Sequence, residues 1–263
     1  MCPEPIHRPR KRFGQNFLHD RFYIERILTE FEVDPKQDII EIGPGKGALT
    51  IPLLKKYGHL HVIEIDRELA QHLEDKCADL GELHLHLGDA LKLDVSTLVT
   101  EGKLQICGNL PYNISTPLIF HLLKTIPDGS LMLFMLQNEV VDRICASHNH
   151  SDYGRLSVMV QAQCRVEKLF EVPSEAFSPQ PKVTSAVVKI QTDKTRRKKL
   201  ADPKVFEQVV RQAFGQRRKT LRNALKKLLL AHDLSEVSVD SSSRAENISV
   251  EQFIAIANML SKP

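Results

Sequence analysis

The stretch Asp38-Ile39-Ile40-Glu41-Ile42-Gly43-Pro44-Gly45-Lys46-Gly47-Ala48 decides how this chain is read. Asp38 to Ile42 is a short, isoleucine-rich run of the kind that forms a buried strand, and it leads directly into the glycines. Glycines there permit a tight turn and a close backbone approach to a ligand, and the next helix is expected to begin at about Leu49. A second apolar run, Leu60 to Ile65, ends on Glu64, Ile65 and Asp66. Glu64 lies about 20 residues past the glycines, the usual separation for a carboxylate that grips a ribose diol. Strand, glycine turn, helix and acidic strand end together predict one unit of a parallel α/β sheet. A nicotinamide dinucleotide fits the same pattern, since Ala48 can take the last glycine's place. The loop and the acid therefore leave the ligand open.

Outward from this unit the alternation continues. Strands are expected over Glu82 to Leu87, running into Gly88-Asp89-Ala90, over Leu104 to Cys107, and over Leu131 to Gln137. Tyr153 to Gln163 reads as a helix, and Cys164 to Glu171 and Val183 to Ile190 read as strands. Seven strands with helices between them predict a doubly wound sheet, whose last pair lacks a helix and is expected to be antiparallel. Upstream, Asp20 is placed to cap a helix over Phe22 to Phe31. Downstream, Gln191 to Pro203 is a charged linker. Helical periodicity resumes over Val205 to Phe214, Lys219 to Leu230 and Val250 to Leu260, with Ser249 and Gln252 as a capping box.

The tetrad Asn109-Leu110-Pro111-Tyr112 follows the fourth strand, where open α/β sheets bind ligands. Thr116 is placed to cap the helix after it, with Pro117 in the first turn. The tetrad suits alkylation of an exocyclic amine on a planar base, a poor nucleophile because its lone pair is delocalised into the ring. The Asn109 amide oxygen and a backbone carbonyl can accept from the amine's N–H groups and favour a pyramidal nitrogen. Pro111 biases Leu110 toward an extended conformation that aims the Leu110 carbonyl at the base. Tyr112 offers a stacking face. Phe177, on the proline-stiffened loop Phe177-Ser178-Pro179-Gln180-Pro181-Lys182-Val183, is expected to offer a second.

Composition bounds the function class. With 263 residues, 42% hydrophobic and 26% charged, the chain has the profile of a globular protein with one large domain and an appendage. No apolar run is long enough to span a bilayer, and Met1 to Arg12 lacks the apolar core of a signal peptide. Five scattered cysteines without a C-x-x-C pair point to reduced thiols and a cytoplasmic location, not to disulfides or a zinc site. The net charge of +3 is unevenly spread. Lys194 to Lys227 holds 13 basic and 2 acidic residues, leaving 23 basic and 31 acidic for the rest. With a second basic cluster at Arg8, Arg10, Lys11 and Arg12, this segregation favours a nucleic-acid partner.

Taken in order, these motifs resemble the KsgA/RsmA family of small-subunit (16S) rRNA adenine N6,N6-dimethyltransferases. The resemblance is carried by Gln15-Asn16-Phe17-Leu18, Glu41 to Gly47, Glu64-Ile65-Asp66, Gly88-Asp89-Ala90, Asn109 to Tyr112, Tyr153-Gly154-Arg155-Leu156-Ser157 and Phe177 to Val183. It departs from the family pattern at Asn138 and Ser174. The resemblance implies a Rossmann-like, seven-stranded S-adenosylmethionine-dependent methyltransferase fold over 1–192 and a small helical rRNA-binding domain over 193–263. It implies S-adenosylmethionine as cofactor, no metal, and a monomer acting on 16S rRNA in the small ribosomal subunit or its precursor. Asn16 and Leu18 would edge the cofactor site, Gly43 would approach the methionine part, and Glu64 would hold the ribose. Asp89 would accept from the cofactor's adenine, Asn109 would touch cofactor and target, and Leu110, Tyr112 and Phe177 would handle the target base. A nicotinamide oxidoreductase, a non-catalytic ribosome-assembly protein and a DNA adenine methyltransferase stand as alternatives. The first leaves the tetrad and the basic segment unexplained.

Overall fold

A computed structural model describes residues 14–31, 37–98, 102–216, 218–229 and 233–261. The arm Arg8 to Arg12, Phe13 and Arg217 lie outside the described residues. The strands are β1 (Phe17–Leu18), β2 (Ile39–Ile42), β3 (His59–Glu64), β4 (Glu82–Leu87), β5 (Gln105–Asn109), β6 (Leu131–Gln137), β7 (Cys164–Val172), β8 (Phe177–Ser178) and β9 (Ser185–Thr192). The helices are α1 (Arg21–Glu30), α2 (Thr50–Tyr57), α3 (Arg67–Cys77), α4 (Ser115–Thr125) and α5 (Asn138–Cys145). They continue with α6 (Arg155–Gln161), α7 (Lys194–Arg197), α8 (Pro203–Phe214), α9 (Leu221–Leu229) and α10 (Val250–Leu260).

Seven of the strands form one sheet in the order β4-β3-β2-β5-β6-β9-β7. The pairs from β4 through β6 are parallel, and β9 enters antiparallel to β6. These are the seven strands expected from the apolar runs. The fourth residue of β2 is as buried as its first, which is why that strand reads as continuously apolar around one acid, Glu41. Local capping signals hold where side chains can act alone. Asp20 accepts from the Phe22 N–H at 2.9 Å, and Ser249 and Gln252 close the box at the start of α10.

Thr116 does not cap α4. The turn after the tetrad has already begun to wind, with the Ile114 N–H donating to the Pro111 carbonyl at 3.1 Å, and the helix starts at Ser115 with no side-chain cap. A second departure is the two-stranded ladder of β1 and β8, in which Leu18 faces Phe177 and Phe17 faces Ser178. Two-residue strands carry no periodicity to read.

The chain divides into two compact units. One comprises residues 1–138 and 168–191, the other residues 139–167 and 192–263. Against the division expected at 192/193, residues 139–167 and Thr192 fall with the C-terminal helices. The cause is packing within that unit: α6 lies against α8 and α10, and the Tyr153 hydroxyl donates to the Ile248 carbonyl at 2.9 Å. Tyr153 and Phe253 both meet Phe214 in its core. No helix of the described residues is long and apolar enough to cross a membrane.

Candidate active site

The first unit holds a cavity at the carboxyl ends of β2, β3 and β5. Its wall includes Asn16, Leu18, Gly43, Glu64, Asp89, Asn109, Leu110 and Tyr112. Every expected site residue except Phe177 lies in this wall, including all of the expected cofactor residues. Gly43 and Gly45 adopt φ of +69° and +57°, a left-handed backbone that a side chain would strain. This turns the loop so that the Gly45 N–H donates to Glu64 Oε2 at 3.2 Å.

Glu64 itself is 4% exposed, and its other oxygen accepts from the Ile65 and Asp66 N–H groups at 2.9 Å each. Three backbone donors fix the carboxylate, although burial still pushes its pKa up. A carboxylate offers about four lone-pair sites, so one fixed by three donors keeps about one to accept from a ribose hydroxyl. Beside it Ile65 is 48% exposed, an apolar face at the cavity wall suited to an adenine ring. Asp89 accepts from the Leu91 N–H through Oδ1 at 3.0 Å, which leaves Oδ2 for an amino group.

The tetrad forms another side of the same cavity. The Leu110 N–H donates to the Met135 carbonyl at 3.1 Å, pinning the turn to β6. Asn109 Nδ2 donates to the Asn16 carbonyl at 2.8 Å, so the amide's oxygen is the atom left to accept. Tyr112 is half-buried and its hydroxyl shares a 2.9 Å hydrogen bond with Ser185 Oγ. Burial outweighs that bond and raises the phenol pKa, so Tyr112 stays neutral.

Phe177 is the exception. It is 3% exposed and packs in the apolar core with Leu18, Ala176 and Val187, so it does not line the cavity. The expectation of an exposed second face for a base is corrected here, because pairing of β8 with β1 turns that ring inward. The loop after it is held at its near end by Gln180, whose amide donates to Ser174 Oγ at 2.8 Å and Glu175 Oε1 at 3.3 Å. Serine at 174 thus has a hydrogen-bonding role.

Residues missed from the sequence act through distant partners. Glu41 lines the cavity 2% exposed, with Thr50 Oγ1 donating to its Oε2 at 2.6 Å. Ser185 orients Tyr112. Gly108 is imposed by a close approach, since a Cβ there would stand 2.4 Å from the Ile42 carbonyl oxygen. Of these only Gly108 carried a visible signal, a glycine inside a strand.

Comparison with known proteins agrees with this geometry. The family model described as Ribosomal RNA adenine dimethylase matches residues 6–262. A protein of Pseudomonas aeruginosa named Ribosomal RNA small subunit methyltransferase A is 51% identical over 257 residues, 97% of this chain and 96% of its own length. A protein of the same name from Nitrosococcus oceani is 51% identical over 251 residues, 95% of each chain. The crystal structure of a dimethyladenosine transferase from Plasmodium falciparum superposes with a TM-score of 0.77 at 25% identity, covering 91% of this chain and 95% of that one. The 23S rRNA methyltransferase ErmE shares the fold, with a TM-score of 0.69 at 23% identity over 94% of this chain and 100% of its own. With a cavity of this make-up and a match over nearly its whole length, the chain belongs to the ribosomal RNA adenine dimethylase family.

Proposed function

We infer that the chain transfers methyl groups from S-adenosylmethionine to N6 of two adjacent adenosines in 16S rRNA, giving N6,N6-dimethyladenosine during small-subunit biogenesis. The observation that carries this reading is that the glycine loop with Glu64 and the tetrad with Tyr112 wall one and the same cavity. The residues fit the cofactor. A fixed carboxylate suits the ribose, a bare apolar face at Ile65 suits the adenine, and buried carboxylates suit a positive charge.

S-adenosylmethionine, when bound, supplies a methyl group already activated by the sulfonium charge. The protein's part is positioning and polarisation. Gly43 would let the backbone approach the methionine part, Asn16 and Leu18 would edge the cofactor site, and Asp89 would accept from the adenine amino group. Asn109 Oδ1 and the Leu110 carbonyl accept from the target's N6–H groups, which localises the nitrogen lone pair toward the methyl. Tyr112 stacks on the flipped base, with Ser185 holding its tilt. Phe177 acts from behind this wall by holding β8 against β1. The cofactor would supply the methyl for direct displacement by N6, and these residues would hold the nitrogen in line while its proton leaves to water.

The basic segment of the second unit positions the RNA backbone, exposing Arg218, Lys219, Arg222, Lys226 and Lys227. The chain acts as a cytoplasmic monomer on the small ribosomal subunit or its precursor. The test is labelled methyl transfer to under-modified small subunits followed by nucleoside analysis. Dimethyladenosine at two adjacent positions is expected. Its absence, or tight binding of NAD in place of S-adenosylmethionine, would overturn the reading.

A further inference from the structure

Glu41 is the one cavity carboxyl to which the reading above gives no task. It sits on β2 beneath the glycine loop, 2% exposed, and the Thr50 hydroxyl at 2.6 Å is its sole hydrogen-bond donor among the described residues. Glu64, on β3, adds its charge to Glu41 and is somewhat less deeply buried, and it is fixed by three backbone N–H groups. Cys77 on α3 and Cys107 on β5 also feel its charge. On the loop itself Lys46 lines the cavity, with Nζ 4.9 Å from the Phe17 ring centroid, and Asp66 and Asp89 add further negative charge around the site. A buried carboxylate with one neutral donor and no paired cation is unstable as an ion unless a positive charge enters beside it.

We propose that Glu41 is a charge-sensing residue that makes the cavity discriminate the sulfonium cofactor from its neutral thioether product by changing its own protonation. Resting on the assignment of this cavity to S-adenosylmethionine, the proposal adds a mechanism for choosing between the two ligands. Burial, with Glu64's charge adding to it and the Thr50 hydrogen bond opposing it, sets the empty site's Glu41 pKa near neutrality, at about 7. Both ligands bring an α-ammonium, and the sulfonium adds a second positive charge that lowers this value further, so S-adenosylmethionine binding expels the larger fraction of a proton to solvent. After methyl transfer the sulfur is neutral, Glu41 takes a proton back from solvent, and the product loses the attraction that held the substrate. Product release and reloading, needed repeatedly for dimethylation of two adenosines, are then coupled to one proton.

The test is calorimetric titration of the full chain with S-adenosylmethionine and with S-adenosylhomocysteine between pH 5.5 and 7.0. In this range the α-amino groups of both ligands stay largely charged. Repeating it in buffers of different ionisation enthalpy counts the protons released. Affinity for the sulfonium ligand should fall as pH is lowered, by up to about tenfold per unit and more steeply than affinity for the thioether. Proton release should be larger for the former. Glu41→Gln should flatten the ratio of the two affinities and abolish the release. Thr50→Val keeps the carboxyl but removes its donor, and should shift the transition to higher pH without removing it. A pH-dependent ratio that survives in Glu41→Gln would move the titration to Glu64 and overturn the proposal, as would a flat ratio in the wild type. If the wild type binds neither ligand, the cofactor assignment fails first and the proposal with it. If both bind with pH-independent affinities, the assignment stands and the proposal alone fails.

Discussion

Asn109 Nδ2 donates to the Asn16 backbone carbonyl at 2.8 Å, across 93 positions of sequence. That single bond ties the tetrad to the residue just before β1 and fixes which end of the amide can accept. Asn109→Asp keeps the acceptor but loses this donor and adds a charge to a cavity wall that already holds two buried carboxyls. It should reduce the methyl-transfer rate by at least about fivefold, from loss of a hydrogen bond worth about 1–3 kcal/mol. Single-turnover transfer with saturating cofactor separates this from a binding defect.

Glu64→Ala removes the anchored carboxylate. Charged hydrogen bonds are worth about 1.5–3 kcal/mol, so affinity for S-adenosylmethionine should fall about tenfold or more. An unchanged calorimetric Kd in a folded variant would take Glu64 out of the site.

Tyr112 and Phe177 should separate cleanly. Tyr112→Ala is expected to impair transfer through loss of stacking worth about 1–3 kcal/mol, with cofactor affinity and melting temperature little changed. Phe177→Ala empties a core position and should destabilise the fold by about 3–5 kcal/mol in denaturant unfolding. A stable Phe177→Ala protein with a selective transfer defect would show that the ring reaches the base after all.

Glu41 links stability to pH. Its folded pKa is raised from 4.5 to about 7, so its favourable contribution is complete below the unfolded value and is lost as pH rises through 7. The carboxyl should therefore cost the empty protein up to about 3 kcal/mol above neutrality. Glu41→Gln should remove that penalty. Unfolding free energies at pH 5 and pH 8, without cofactor, give the comparison.

His61 works in the opposite sense. Its pKa is lowered to about 4 by burial and by the neighbouring His84 and His86, and its Nδ1 lies 3.1 Å from His86 Nε2 across β3 and β4. The stabilisation is full above about 6.5, the unfolded value, and is lost as pH falls through the folded one. Wild type should lose more thermal stability between pH 7 and pH 5 than His61→Gln does.

Replacing Arg217, Arg218, Lys219 and Arg222 with Ala should weaken small-subunit binding and flatten its salt dependence while leaving cofactor affinity intact. Each lost phosphate contact lowers the log–log slope by about 0.7–0.9. An unchanged slope would shift attention to the Arg8 to Arg12 arm.

The sequence by itself determined the seven strands, the glycine loop, the Glu64 spacing and the caps at Asp20 and Ser249. Those signals are local: burial sets periodicity along one strand or helix, and a cap needs a partner only two or three residues away. Only the tertiary structure decided that β1 pairs with β8, that Ser185 holds Tyr112, and that Phe177 turns into the core. It likewise decided that residues 139–167 join the C-terminal helices and that Glu41, one more acid in an apolar strand, ends as a buried carboxyl in the cavity wall. Each of these depends on which distant surfaces meet, and the free energy of such a meeting belongs to the pair of surfaces, so neither stretch of sequence displays it alone.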